Sequence, residues 1–264
     1  MSYSLREMKN SELELLRVFL DACSCLNLHP YLVCGSALGA VKYHGFIPWD
    51  DDIDVALLRP EYDLFLEKAQ EHLPDWCFVQ NYQSEPSYPR IYCKLRDTRT
   101  TLIENSERFL PVTKGVFIDV FPLDGYPEGK IRSSIFELRK QLYTRSLGCA
   151  FEHEGIARRA FYGLFKLMGC HKRTERIATA YERMLKKYPT SESRLWCNHG
   201  NWQGRLEYAP REQYGVGAQA TFEGLTVQIP ELFDEYLTQK YGDWRGDPPE
   251  AEQVSHHHFC CYDS

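Results

Sequence analysis

The sequence predicts an α+β protein, with strands and helices mixed in the first half and a mainly helical second half. Three observations predict this. Leu5, Met8, Leu15, Leu16, Phe19, Cys23 and Leu26 recur at helical spacing across residues 4–27. Short apolar runs then alternate with helical patterns as far as Asp124-Gly125. Beyond that point most apolar residues recur at three- and four-residue steps.

The opening helix should end at Asn27 and Pro30. Tyr31-Leu32-Val33-Cys34 reads as a buried strand stopping at Gly35, and Ser36 is placed to cap a short helix through Ala37, Leu38, Ala40 and Val41. Gly45 and Pro48 break the chain. Asp50 to Leu58 begins acidic and continues apolar, as a strand entering a core from a polar end does. Pro60 suits the first turn of a helix that lines up Tyr62, Phe65, Leu66, Ala69 and Leu73. Strands are expected at Cys77 to Gln80, Arg90 to Leu95, Thr100 to Ile103 and Gly115 to Phe121. Ile131, Ile135, Leu138 and Leu142 mark a helix, and two more are expected over residues 153–168 and 173–187. A hairpin around Glu223-Gly224 and a helix over 231–241 close the chain. The expected division is a catalytic core with its N-terminal helix over residues 1–127 and a helical extension with hairpin and closing helix over 128–264.

The 264 residues are 43% hydrophobic and 26% charged, the balance of a globular chain rather than a disordered one. A formal net charge of −6 provides no global basic field, so nucleic acid is not an expected partner. The N-terminal residues alternate charged and apolar groups without a signal-peptide run. No stretch reaches the ~18 apolar residues of a membrane span. Ten cysteines without a Cys-x-x-Cys pair read as reduced, mostly buried thiols, which points to a cytoplasmic protein.

Asp52, Ile53, Asp54 and Val55 alternate polar and apolar. On a strand, Asp52 and Asp54 would project to one side, where their repulsion calls for a cation; hard oxygen ligands suit Mg²⁺ or Mn²⁺. Asp119 stands in the apolar run Phe117-Ile118-Asp119-Val120-Phe121, where a lone buried carboxylate is costly without a partner. If the two strands are neighbours, three carboxylates converge and can hold two metal ions ~4 Å apart for phosphoryl transfer. Gly35-Ser36, between a strand and a helix, would present backbone amides to phosphate. Each acid alone could be a surface charge or a turn cap; the order of the four features is the stronger signal. Asp50, Asp52, Asp54 and Glu61 also match positions 1, 3, 5 and 12 of an EF-hand loop. Val55 in place of the required glycine, and Pro60 just before Glu61, argue against calcium.

That order resembles the nucleotidyltransferase superfamily that includes polymerase β. The segments Gly35-Ser36-Ala37-Leu38-Gly39-Ala40-Val41-Lys42 and His44-Gly45-Phe46-Ile47-Pro48-Trp49-Asp50-Asp51-Asp52-Ile53-Asp54 are similar to the LicD family. So are Lys94-Leu95-Arg96-Asp97, Gly115 to Asp124, and Tyr241-Gly242-Asp243-Trp244 followed by Pro248-Pro249. Ala37 departs from the larger residue common there. The resemblance implies a polymerase β-like nucleotidyltransferase core, a mixed sheet with flanking helices. It also implies transfer of phosphocholine or a similar phospho-alcohol from a CDP-activated donor (CDP-choline or alike) to a sugar hydroxyl of a surface glycan or lipid-linked precursor.

The expected roles follow from this. Asp52, Asp54 and Asp119 are the catalytic and metal-binding residues for two Mg²⁺ or Mn²⁺ ions, and Asp119 is also the proton acceptor. Gly35, Ser36, Lys94 and Arg96 bind the donor phosphates. Lys94 and Arg96 would share a strand face, and an exposed basic face is the alternative reading. Trp49, Tyr92, Tyr126 and Trp244 are candidates to face a quaternary ammonium, with packing as the alternative. His256, His257 and His258 are read as a solvated tail, since three consecutive histidines cannot all face one ion. Ala160 to Cys170, flanked by Arg158, Arg159, His171, Lys172 and Arg173, reads as a core helix with solvated ends. A helix lying on an anionic membrane, at the inner face, is the second reading. Two other functions remain open: nucleotidyl transfer from an NTP to a small alcohol, and a non-catalytic module that binds glycan or metal.

Overall fold

The computed structural model describes residues 5–151, 155–200, 204–254 and 259–263. In chain order the elements are α1 (Leu5–Cys25), β1 (Tyr31–Leu32), α2 (Cys34–Lys42), β2 (Asp54–Leu58), α3 (Arg59–Lys68), β3 (Cys77–Gln80), β4 (Cys93–Asp97), β5 (Thr101–Glu104) and β6 (Phe117–Gly125). They continue with α4 (Lys130–Gly148), α5 (Ile156–Leu167), α6 (Thr174–Leu185), β7 (Leu195–Asn198), β8 (Tyr208–Pro210), α7 (Arg211–Tyr214), β9 (Ala218–Phe222), β10 (Leu225–Ile229), α8 (Phe233–Tyr241) and β11 (Phe259–Asp263). His256, His257 and His258 lie outside the described residues.

The fold is α+β around a mixed sheet of order β1-β2-β6-β4-β3, extended by β7 and β8 from the end of β6. Only β2 and β6 pair in parallel; every other neighbour in this sheet is antiparallel. All nine residues of β6 are buried, as a strand covered on both faces requires. α1 supplies Leu15, Leu16, Phe19 and Cys23 to the core beneath the sheet, at the spacing that its sequence shows. The same core takes Tyr214 from α7, Phe222 and Val227 from the β9–β10 hairpin, and Tyr236 from α8. The chain on either side of residue 127 therefore shares one interior. A second cluster, around Phe136, Tyr181, Met184 and Leu185, joins α4 to α6.

Three expectations need correction. The strand placed at Asp50 to Leu58 begins only at Asp54, and residues 50–53 form the loop that leads into it. The second half contains β7, β8 and β11 besides its helices. The first two are too short to show a period, and β11 pairs with β5 far away in sequence. Residues 160–170 are no core helix: none of the described α5 residues is buried. Ile131, Ile135, Leu138 and Leu142 mark a real helix, but they face outwards while Phe136 and Leu147 face in.

A buried ion cluster joins the sheet to the helical half. Arg59, at the start of α3, forks onto Asp124 of β6 through Nε (2.7 Å) and Nη2 (2.6 Å), and its Nη1 donates to Glu182 of α6 at 3.1 Å. Burial opposes the Arg59 charge, but Asp124 outweighs it and drives the guanidinium still higher. Replacing Arg59 with Met leaves Asp124 buried without its cation and Glu182 with only Lys186, at 3.5 Å. The expected cost is ~3–5 kcal/mol of stability, read as a lower urea midpoint at unchanged slope.

Candidate active site

Tertiary pairing brings the acids together. In the parallel β2–β6 pair Asp54 lies opposite Asp119 in register, and the Asp119 amide donates to the Ile53 carbonyl at 2.9 Å. Asp52 precedes the strand, yet it lines the same cavity as Asp54 and Asp119, together with Gly35 and Asp50. Carboxylate oxygens of Asp50, Asp51 and Asp52 lie within 4.8 Å of one another. The cavity, about 1160 Å³, is walled on one side by Trp49, Tyr92, Phe121, Tyr241 and Trp244. Glu61, the would-be twelfth EF-hand ligand, instead accepts from the His29 amide and ring.

The glycine-serine turn differs from the expectation. Val33, not Ser36, occupies the N-cap of α2. Cys34 takes a left-handed φ of 52°, and its amide donates to the Tyr236 hydroxyl at 3.1 Å; the helix opens three residues earlier than a Ser36 cap would have it. Ser36 is buried, and its Oγ accepts the Asp54 amide at 2.8 Å. Its hydroxyl thus ties the turn to the acidic strand, while Gly35 reaches the cavity. A Cβ on Gly35 would stand 2.6 Å from Asp50 Oδ2, so a larger residue there would displace that carboxylate. Gly39 is needed for a similar reason, since a Cβ there would meet the Gly45 carbonyl at 2.3 Å.

Lys94 and Arg96 do share a strand face, but it is an interior one. Lys94 lies opposite Asp119 in register, with Nζ 3.6 Å from Asp119 Oδ1 and 2.6 Å from Glu104 Oε2. Arg96 is fully buried and donates to Gln80, the Gly115 carbonyl and Glu107. Its fork is committed to the protein, and Arg96 does not reach the cavity. Among the described residues, the lysine and arginine that line the cavity are Lys42 and Arg90. Arg90 donates to Glu107 at 3.0 Å and to the Tyr92 hydroxyl at 2.9 Å. Sequence reasoning placed Arg90 at the start of a strand and missed it as a site residue; no local pattern separates it from Arg96.

The late segment closes the cavity. Lys42 Nζ donates to the Trp244 and Gly246 carbonyls at 3.3 and 2.8 Å and pairs with Asp247 at 2.6 Å. The Tyr43 hydroxyl donates to Asp247 Oδ1 at 2.5 Å. Tyr241, Asp243, Pro248 and Pro249 thereby join the cavity wall. Tyr126 instead packs on Phe136 and Tyr208, away from it.

The electrostatics are those of crowded anions. Burial, and then the charges of Asp52 and Asp119, push the Asp54 carboxyl well above the usual carboxylate range. Burial followed by Asp52 and Asp51 does the same to Glu12 on α1, a further nearby acid that the sequence did not reveal. Glu104 moves the other way: burial opposes ionisation, but Lys94 and Arg90 outweigh it and lower its pKa. Clustered oxygen donors whose ionisation is opposed by burial and by one another's charge fit a hard divalent cation, which would relieve that repulsion.

Residues 27–147 match the family model described as LicD/FKTN/FKRP, nucleotidyltransferase domain. Over those residues the chain is similar to the LicD family. The lipopolysaccharide cholinephosphotransferase LicD of Haemophilus influenzae is 29% identical over 273 residues, covering 96% of this chain and 96% of that protein. The LicD-family match ends within α4, while the cavity also draws on the Tyr241 to Val254 segment.

The raised Asp54 pKa has a stability consequence of definite sign. The folded state keeps this proton to a higher pH than the unfolded chain, so stability falls as pH rises from ~4 through the raised value. Without divalent cations, Asp54→Asn should therefore melt above the wild type at pH 7–8, with the gap closing toward pH 4. Each kcal/mol of relief corresponds to roughly 2–4 °C in a chain of this size. Paired thermal melts across that range check it.

Proposed function

We propose that the protein transfers phosphocholine, or a similar phospho-alcohol, from a CDP-activated donor to a sugar hydroxyl of a lipopolysaccharide-type glycan or its lipid-linked precursor, releasing CMP. The observation that carries this reading is Asp54 in register with Asp119 in a cavity walled by aromatic rings. The relative's printed activity supports it. On this reading the sheet β1-β2-β6-β4-β3 is a polymerase β-like nucleotidyltransferase core, completed by residues 128–264.

Asp52, Asp54 and Asp119 would hold Mg²⁺ or Mn²⁺, two ions in all, supplying charge neutralisation and Lewis-acid polarisation at the donor phosphates. The α2 amides at Gly35 and the side chains of Arg90 and Lys42 orient the pyrophosphate. Asp119 accepts the proton of the acceptor hydroxyl, whose oxygen forms a bond to the phosphorus bearing the alcohol. The bond from that phosphorus to the CMP oxygen breaks, and CMP leaves with the electron pair. Lys94, itself paired with Glu104, holds that carboxylate in place. Trp49, Tyr92 and Trp244 offer ring faces to a quaternary ammonium.

The test is CMP release from a panel of CDP-alcohols with Mg²⁺ as candidate acceptors are added. Pyrophosphate release from an NTP would favour nucleotidyl transfer instead. No turnover with any donor, with Asp119→Asn only weakening affinity, would indicate a binding module. On the proposed reading Asp119→Asn lowers kcat about 10²–10⁴-fold at near-constant thermal stability. Mg²⁺ should raise the melting temperature of the wild type but not of Asp54→Asn.

Trp49→Ala should raise KM for CDP-choline about 2- to 30-fold, the range of one cation–π contact. The same change should have less effect on a CDP-alcohol without a quaternary nitrogen. An equal effect on both donors in steady-state kinetics would assign Trp49 to packing.

A further inference from the structure

Two adjacent helices leave their apolar faces bare. On α4, Ile131, Ile135, Leu138 and Leu142 form one stripe at helical spacing, opposite the buried Phe136 and Leu147. On α5, Phe161, Leu164, Leu167 and Met168 lie along one face, with Arg158, Arg159 and Lys166 on the other. Across both stripes the relative exposure runs from 46% to 87%. The two are joined: Arg145, three residues past Leu142 on the same face, sits over the Phe161 ring at 5.8 Å. Bare apolar surface on this scale marks a contact site.

Charge identifies the occupant. Residues 130–173 contain ten lysines and arginines against three glutamates, a local charge of +7 in a chain of net −6. Nine of those cations are exposed. The one acid among the described residues of this stretch, Glu137, is taken up by Lys140 and the Tyr126 and Tyr208 hydroxyls. A self-complementary dimer through this face would press that positive field against its own copy. No helix among the described residues is long and apolar enough to cross a membrane, so the helices would lie on a surface rather than span it.

We propose that the outer faces of α4 and α5 dock the protein on an anionic lipid bilayer, with the apolar stripes in the headgroup–acyl boundary and the flanking cations on the lipid phosphates. This stands independently of the phosphocholine reading, because it needs neither donor nor acceptor.

Flotation of the full chain with vesicles decides it. The protein should float with phosphatidylcholine containing about a third phosphatidylglycerol, fail to float with phosphatidylcholine alone, and lose binding in ~0.5 M salt. Leu138→Glu/Leu167→Glu should abolish flotation, and Arg158→Glu/Lys166→Glu should weaken it at least about tenfold, with unchanged far-UV circular dichroism because all four side chains are exposed. Absence of flotation with the anionic vesicles overturns the proposal. So does sedimentation showing a dimer that Leu167→Glu dissociates, since a second copy would then be the occupant.

Discussion

The site depends on the parallel pairing of β2 with β6, which places Asp54 and Asp119 side by side at the strand ends. Parallel neighbours cannot be joined by a tight turn, so a long crossover must separate them. Here it contains α3, β3, β4 and β5. The crossover is part of the site as well as a connection. β4 returns antiparallel along β6, sets Lys94 opposite Asp119, and leaves Arg96 two residues further on to hold Glu107. Two facing carboxylates are thus backed by a buried layer of alternating charge, Lys94 with Glu104 and Arg96 with Glu107. Removing one member would leave its partner buried and unneutralised, a larger loss than the pair's own contribution.

Local chemistry made part of this legible in the sequence. α1, α3, the β9–β10 hairpin and α8 have amphipathic patterns or turn residues that tertiary contacts only confirm. The three acids could be named because an aspartate inside Phe117 to Phe121 has no reason to exist without a partner. Their grouping, however, depends on register, which short-range patterns do not encode. Asp52 and Asp54 reach one cavity although Asp52 is off the strand, so strand alternation does not account for their meeting there. Lys94 and Arg96 show the limit from the other side: spacing put them on one face, but not on which side of the sheet that face lies. β11 and the Lys42–Asp247 closure join residues about 160 and 205 positions apart, beyond any periodicity.

The segment after α8 contributes through α2. Lys42 and Tyr43, at its C-terminal end, hold Asp247 and the Trp244 and Gly246 carbonyls, and the N-terminal end of the same helix carries Gly35 into the cavity. A nine-residue helix therefore couples the turn beside the acids to the segment that supplies Tyr241, Trp244 and the prolines. Gly39 sits in its middle against the Gly45 carbonyl, so the helix cannot shift along its axis without moving the loop that leads to Asp50. One short element thus ties the turn beside the acids to the Trp244 to Asp247 segment of the cavity wall.

The distribution of charge completes this account. The residues outside 130–173 carry −13, and a good share of that surrounds the cavity: Asp50, Asp51, Asp52, Asp54, Asp119, Glu104 and Glu12. An anionic donor approaching such a site meets repulsion that Arg90 and Lys42, both already paired with carboxylates, cannot offset. The acidic cavity is therefore suited to a substrate that arrives with its own cations, and poorly suited to a bare phosphate or a nucleic-acid strand. The basic surface of α4 and α5 belongs to helices that supply no residue to the main core, so it can attract an anionic partner without disturbing the packing that positions the acids.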